Sequence, residues 1–134
     1  MKSEIRHTSS AKIWLDEEDI IRAVITKDTR LTLKDAVENV STIAKCTDEP
    51  RFLLADVRCV NSVSVELRDY FASVEVAGIL PTRAILVASP VAKVMGNMFL
   101  KMIRPKFMAK IFIDELEAVN WLKWIKSNHE VYES

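Results

Sequence analysis

Apolar residues in this chain occur either as short continuous runs or at helical spacing. Two runs, Phe52–Ala55 and Ala84–Ala88, contain no polar side chain, which is typical of strands covered on both faces. Between and after these runs, apolar residues recur three and four positions apart, as they do on one side of an amphipathic helix. The pattern therefore predicts buried strands that alternate with helices.

Capping residues mark where three of the predicted helices begin. Thr32 with Asp35 three residues later is a plausible capping pair, and Ser89-Pro90 combines a capping serine with a proline suited to the first turn. Asp114 precedes the last helix, with Glu117 at the capping-box position. A further helix is expected to begin near Ser62 or Ser64.

Two short, partly apolar segments, Lys12–Asp16 and Ile20–Ile25, predict an opening β-hairpin. The complete order is then ββαβαβαβα, an α/β fold with a five-stranded mixed, mostly parallel sheet and four helices. We expect one domain over residues 12–127, with a flexible tail at 1–11 and another at 128–134.

Composition and charge narrow the function classes. A chain of 134 residues fits one domain of the usual size, roughly 100–150 residues. Nineteen basic residues balance nineteen acidic ones, so a generally basic nucleic-acid binder is not expected. With two glycines, two histidines and two cysteines, we expect no Gly-rich phosphate loop, no zinc module, no disulfide framework, no metal site and no cofactor.

Neither an export signal nor a transmembrane segment is visible. The longest uncharged run is residues 84–92, far short of the roughly 20 residues that span a bilayer. The N-terminal segment MKSEIRHTSS has no apolar core of a signal peptide. A cytoplasmic protein with free thiols is the expectation.

The third predicted helix has the least usual composition. Four of the five methionines fall between residues 95 and 108, and methionine suits surfaces that repack around variable ligands. Residues 81–113 hold six basic residues and no acidic one, whereas the flanking segments each have a net charge of −3. The basic members that we assign to a surface are Lys93, Lys101, Arg104 and Lys106.

Three interpretations of this helix stay open. It is an ordinary core helix with a solvated basic face, a surface that meets a membrane, or a movable lid over an apolar pocket. In the last case the residues in contact with ligand would be Met95, Met98, Phe99 and Met102. An exposed helix here would also favour a homodimer.

Catalytic patterns are absent from the sequence. His7 and His129 lie in the predicted tails, so no core histidine is available as a general base. No HExxH, P-loop or GxGxxG motif occurs. We therefore expect a protein that is not an enzyme.

Three segments resemble a known family. FLLADVRCVNSVSVELRDYF, TRAILVA and AKIFIDELEAVNWLKWI follow the element order of the STAS fold of anti-sigma-factor antagonists. The likeness covers residues 12–127 and is closer to the small SpoIIAA-like proteins, which are related to STAS and to CRAL-TRIO lipid-transfer domains. It implies a binding module, and the CRAL-TRIO kinship implies lipid association.

The resemblance also points to a partner-binding loop after the strand that ends at Asp56. STAS antagonists carry an Asp-Ser-Ser-Gly type motif there, with a phosphorylated serine. This chain has Ser62 and Ser64 in that region but lacks the acid and the glycine, which weakens a phosphorylation switch. Helix capping alone explains a serine at this place, and we favour it over a regulatory site.

These features predict a non-catalytic regulatory module that docks a protein partner through this loop and the second predicted helix. The alternative is binding of a lipid or another apolar small molecule, or peripheral contact with a membrane, through the Met-rich third helix.

Overall fold

A computed structural model describes residues 4–133 of the chain, with side chains described as far as Asn128. Within that range the elements follow the order β1-β2-β3-α1-β4-α2-α3-β5-α4-β6-α5. The strands are β1 Arg6–His7, β2 Ala11–Leu15, β3 Ile21–Ile25, β4 Phe52–Asp56, β5 Thr82–Leu86 and β6 Met108–Phe112. The helices are α1 Leu33–Ala44, α2 Val65–Phe71, α3 Val74–Ile79, α4 Pro90–Ile103 and α5 Glu115–Glu133.

The strands lie in the sheet in the order in which they occur along the chain. Strand β2 pairs antiparallel with both β1 and β3, whereas β3, β4, β5 and β6 are all parallel. Leu53 in β4 lies beside Ile21 on one side and Arg83 on the other. The predicted mixed, mostly parallel α/β sheet is confirmed.

The prediction of a flexible N-terminal tail over 1–11 is wrong from Arg6 onward. Residues Arg6–His7 form β1, which adds a sixth strand to the described part of the sheet. Polar contacts hold it in place: the Asn39 amide donates to Ser10 Oγ at 2.9 Å, and Thr8 Oγ1 donates to Asn39 Oδ1 at 2.6 Å. Ser10 is fully buried. Since these anchors are polar and distant in sequence, no local apolar pattern indicates them.

Two further boundaries differ from the prediction. The second predicted helix is divided into α2 and α3, because Ser73 caps the new helix by accepting from the Val76 backbone N–H. Helix α5 continues to Glu133, so the predicted C-terminal tail is helical over 128–133. The described chain thus has six strands and five helices, where five and four were predicted.

The two faces of the sheet are covered differently. Helix α5 alone covers one face, with Leu122 and Ala118 fully buried against Leu54 and Leu86. On the other face, α1 and α3 pack over β2, β3 and β4 in a second buried cluster that includes Ile13, Ile43 and Val76. Helices α2 and α4 complete this second face at its β5 and β6 side.

Helix α1 opens with the predicted capping pair. Thr32 Oγ1 accepts from the Asp35 N–H, and Asp35 Oδ2 accepts from the Thr32 N–H at 2.9 Å and from Lys27 Nζ at 2.7 Å. Burial by itself raises the pKa of the Asp35 carboxyl, but the hydrogen bonds from Lys27 and Thr32, with the Lys27 charge, outweigh burial and lower it. The folded state therefore favours the ionised form.

We expect Asp35→Asn to lower the free energy of unfolding by about 1–2 kcal/mol at pH 7. Because the folded pKa is below the unfolded value of about 3.9, this stabilisation is complete above about pH 5 and disappears as the pH falls through the folded pKa. Urea denaturation from pH 3 to pH 7 measures the difference. The exposed Asp48→Asn is the control, and a difference for Asp35→Asn that does not change with pH would contradict this account.

Candidate functional site

A cavity of about 300 Å³ lies between the sheet and helices α1, α2 and α4. Strand alternation brings the same-face residues of β3, β4, β5 and β6 to its floor. These floor residues are Ala23, Ile25, Leu53, Ala55, Arg83, Ile85 and Ile111. The wall is almost entirely apolar, because the helices contribute side chains such as Leu67, Phe71, Phe99 and Leu100.

Small residues explain why this side of the sheet is not filled. Ala23 and Ala55 on the floor, with Ala36 and Ala72 on the helices, leave space that larger side chains would occupy. The same strands present larger side chains such as Phe52, Leu54 and Leu86 to α5 on the opposite face, where they belong to a buried cluster. Small residues at alternate positions of the strands therefore account for the cavity.

Arg83 is the exceptional residue of the cavity wall. Its side chain comes from the middle of the parallel sheet, and the residue is only 4% exposed. Nε donates to the Leu80 carbonyl at 2.8 Å, Nη1 donates to the Phe71 carbonyl, and the guanidinium lies 3.6 Å from the centre of the Phe107 ring. Nη2 is buried and has no hydrogen-bond partner among the described residues.

Helix α4 closes the cavity as a loosely packed lid. None of its residues is fully buried, although Gly96, Phe99 and Leu100 line the cavity. Gly96 allows close approach to β6, since a Cβ at this position would lie 3.2 Å from Ile111 Cδ1. The Arg68 guanidinium of α2 lies 5.1 Å from the centre of the Phe99 ring and gives a second contact to the lid.

The orientation of α4 corrects the expectation for its methionines. Phe99 lines the cavity, but Met95, Met98 and Met102 lie on the outer face of the lid, with Met102 74% exposed. The side of the helix that carries Gly96 lies against Ile111, so the methionines point outward. The outer face of α4 is defined here as Val91, Val94, Met95, Met98 and Met102, all of which are more than half exposed.

The predicted basic surface lies partly beside this outer face. Lys101 is exposed within α4, and Arg104 and Lys106 are exposed just after it. Lys93 is half-buried. Arg104 adopts a left-handed backbone conformation (φ 47°) that ends the helix before Pro105.

The loop after β4 uses two of its three predicted site residues for internal contacts. Asp56 accepts two side-chain hydrogen bonds from Arg58, at 3.0 and 2.7 Å. Burial raises the pKa of Asp56, but the Arg58 hydrogen bonds and charge outweigh it and lower the pKa. Ser64 is buried and caps α2 by accepting from the Leu67 N–H, whereas Ser62 is exposed.

The structure does not bring the predicted site residues together. Asp56, Ser62 and Ser64 belong to the β4–α2 connection, and the three methionines face away from the cavity on α4. The residue that sequence reasoning missed is Arg83, which was counted only as one of six basic residues. A signal was present, because it is the one charged residue in the predicted strand TRAILVA.

The family comparison applies to nearly all of this fold. Residues 13–126 match the family described as a domain of unknown function, DUF7793. The chain belongs to this family. No protein among those with curated functions matches the sequence of this DUF7793 domain.

A solved structure extends the comparison to the fold. The DUF7793 domain is similar to an uncharacterized protein of the DUF3478 family with a SpoIIAA-like fold from Shewanella loihica PV-4. The two share 14% sequence identity over 91% of this chain and 95% of that chain, with a TM-score of 0.57. At this identity the likeness shows the fold alone, and the predicted SpoIIAA-like fold is confirmed.

The close approach of the lid predicts different effects for the two glycines. Gly78 in α3 has nothing within 4 Å of an added Cβ, so Gly78→Ala should raise the free energy of unfolding by up to about 1 kcal/mol through helix propensity. In Gly96→Ala the same gain is opposed by crowding against Ile111. We expect it to fall at least about 0.5 kcal/mol short of the Gly78→Ala gain.

Chemical denaturation of both variants measures this difference, and Ile111→Val supplies the matched test. Because Ile111→Val removes the nearest crowding atom, it should cost less in the Gly96→Ala background than in the wild type. Equal gains for the two glycine variants, with no coupling to Ile111, would show that α4 is not held close to β6.

Proposed function

We propose that this domain is a non-catalytic module that binds a small apolar molecule in the cavity beneath α4. The observation that carries the proposal is the almost wholly apolar cavity of about 300 Å³ between the sheet and the lid. Ligand sites are typically concave, mostly apolar, and at least this large, with a few polar groups that set orientation. At about 30 Å³ for each water-sized group, the space suits roughly ten non-hydrogen atoms.

Packing on the two faces of the sheet supports this interpretation. A protein interior is normally close-packed, and an empty apolar space of this size forfeits the contacts of every side chain around it. An apolar ligand would restore those contacts. The lid has no fully buried residue, so it is the element of the wall that can move to admit the ligand.

Docking of a protein partner at the β4–α2 loop has less support from the geometry. Asp56 is engaged by Arg58 and Ser64 caps a helix, so both residue types have structural explanations. Ser62 is the exposed member of the predicted set. Ligand capture therefore has more support from the geometry than partner docking at this loop.

Titration with 1-octanol tests the cavity directly, with methyl-resolved NMR as the measurement. We expect saturable shifts for the methyl groups of Ile25, Ile85 and Ile111, which line the cavity. The methyl groups of Leu86 and Leu122, on the α5 face, should not move. Absence of shifts at the cavity methyls would contradict the proposal.

A variant that fills the cavity tests whether octanol binds inside it. Ala55→Phe places a ring on the cavity floor and should weaken octanol binding by at least about tenfold, which corresponds to about 1.4 kcal/mol. Ala88→Phe, at an exposed position just after β5, is the matched control and should leave binding unchanged. If Ala55→Phe folds and binds octanol as the wild type does, the ligand lies elsewhere.

A second candidate function is peripheral contact with an anionic membrane through the outer face of α4. Five apolar side chains are more than half exposed there, and the basic residues Lys101, Arg104 and Lys106 lie alongside. Each basic residue near such a surface contributes about 1 kcal/mol of attraction. No helix in the described residues is long and apolar enough to cross a bilayer.

Co-sedimentation with phosphatidylglycerol-containing vesicles tests this candidate. We expect binding at low salt that falls as salt rises, because screening weakens the attraction. Met98→Asp combined with Met102→Asp should abolish binding, whereas Val74→Asp, exposed on α3, should not. The absence of binding at low salt would contradict membrane contact. Membrane contact would also be contradicted if the free protein is a dimer and the double variant Met98→Asp with Met102→Asp is a monomer, because the outer face of α4 would then be a dimer interface.

A further inference from the structure

Arg83 places an uncompensated positive charge in the wall of an apolar cavity. Arginine is rarely buried to this extent without a carboxylate opposite it, because removing a charge from water is costly. Here the guanidinium is opposed by two backbone carbonyls and an aromatic ring. Burial lowers the pKa of Arg83 to about 10, so the group is still charged at neutral pH.

The contacts of Arg83 use two of its three nitrogens and leave the third without a partner. Nε and Nη1 donate to the Leu80 and Phe71 carbonyls, which fix the plane of the guanidinium. Nη2 has no partner among the described residues, although its surface is buried. A buried donor without an acceptor is destabilising, so a ligand acceptor that reaches Nη2 as the lid moves would complete the arrangement.

We propose that the ligand of this cavity is a small monoanionic amphiphile of the medium-chain carboxylic acid class, whose carboxylate accepts a hydrogen bond from Arg83 Nη2 and whose chain fills the apolar space. This inference rests on the proposed function and adds the head group. The carboxylate would both satisfy the donor and neutralise the charge. Charged hydrogen bonds of this kind are shorter and stronger than neutral ones.

The charges around the cavity favour a single negative charge. Asp35 is also in the wall, but its carboxylate is already paired with Lys27 at 2.7 Å. Arg68 is the other cation of the wall, and it is an exposed residue that contacts the Phe99 ring. With one buried cation and one free nitrogen, the site compensates a carboxylate better than a dianionic phosphate.

Three probes that share a chain of eight carbons and differ in head group test this assignment. Octanoate, 1-octanol and octylamine are titrated into the whole chain, and the cavity methyl groups report binding. We expect octanoate to bind at least about tenfold more tightly than 1-octanol, and octylamine to bind the most weakly. Octanoate should also raise the midpoint of thermal unfolding more than 1-octanol does at equal concentration.

The decisive variant is Arg83→Met, which keeps an apolar stem and removes the donor. It should weaken octanoate binding at least about tenfold while leaving 1-octanol within about threefold, since only octanoate uses the charge. Arg51→Met is the matched control, because Arg51 has a similarly unpartnered Nε but does not line the cavity. If Arg83→Met does not fold, the probe series on the wild type still tests the preference for a carboxylate, and Arg68→Met still tests whether Arg68 carries that preference.

The outcomes separate this inference from the proposed function. If none of the probes moves the cavity methyl groups, both fail. If 1-octanol binds there as tightly as octanoate, the cavity stands and the carboxylate assignment is overturned. If Arg68→Met removes the preference for octanoate and Arg83→Met does not, the head group belongs at Arg68 and the assignment to Arg83 is wrong.

Discussion

A parallel sheet has to be covered on both faces, and in this domain the two covers are unequal. Helix α5 buries Ala118 and Leu122 completely against one face, so that side resembles an ordinary close-packed core. The other face is divided among four shorter or more loosely seated helices. Everything of functional interest follows from this asymmetry, because the second cover leaves an apolar space at its β5 and β6 side.

Arg83 and the lid give that space its character. Alternation along β5 sends Ala84 and Leu86 toward α5 and sends Arg83 and Ile85 toward the cavity. The guanidinium therefore faces apolar side chains and finds only carbonyls and the Phe107 ring. A leucine at this position of a packed core would avoid the free-energy cost of burying a charge.

The SpoIIAA-like fold places this DUF7793 domain among proteins of shared architecture, and architecture by itself does not assign an activity. The cavity supports the proposal of ligand capture, and a single nitrogen, Arg83 Nη2, supports the proposal of an acid head group. The outer face of α4 is a separate feature with separate chemistry.

Local patterns in the sequence determined most of the fold. The continuous runs at Phe52 and Ala84 became central parallel strands, and the caps at Thr32, Ser64 and Ser89 begin α1, α2 and α4. These signals are reliable because they act over three or four residues, through side-chain alternation and hydrogen bonds to nearby N–H groups. The first strand was missed because it is only two residues long and pairs with β2 across a turn that the distant side chain of Asn39 anchors. The break at Ser73 was missed because a cap inside an apolar pattern gives little periodic signal.

The candidate site was determined only by tertiary structure. The apolar stripe of α4 correctly indicated an unusual helix, yet its methionines point outward, because close contact with Ile111 requires the side that carries Gly96. The sequence shows that an arginine is present at position 83. It does not show that Nη2 of this arginine lacks a hydrogen-bond partner. Whether a buried donor is satisfied depends on carbonyls, rings and carboxylates that the fold brings from elsewhere, and no local pattern records them.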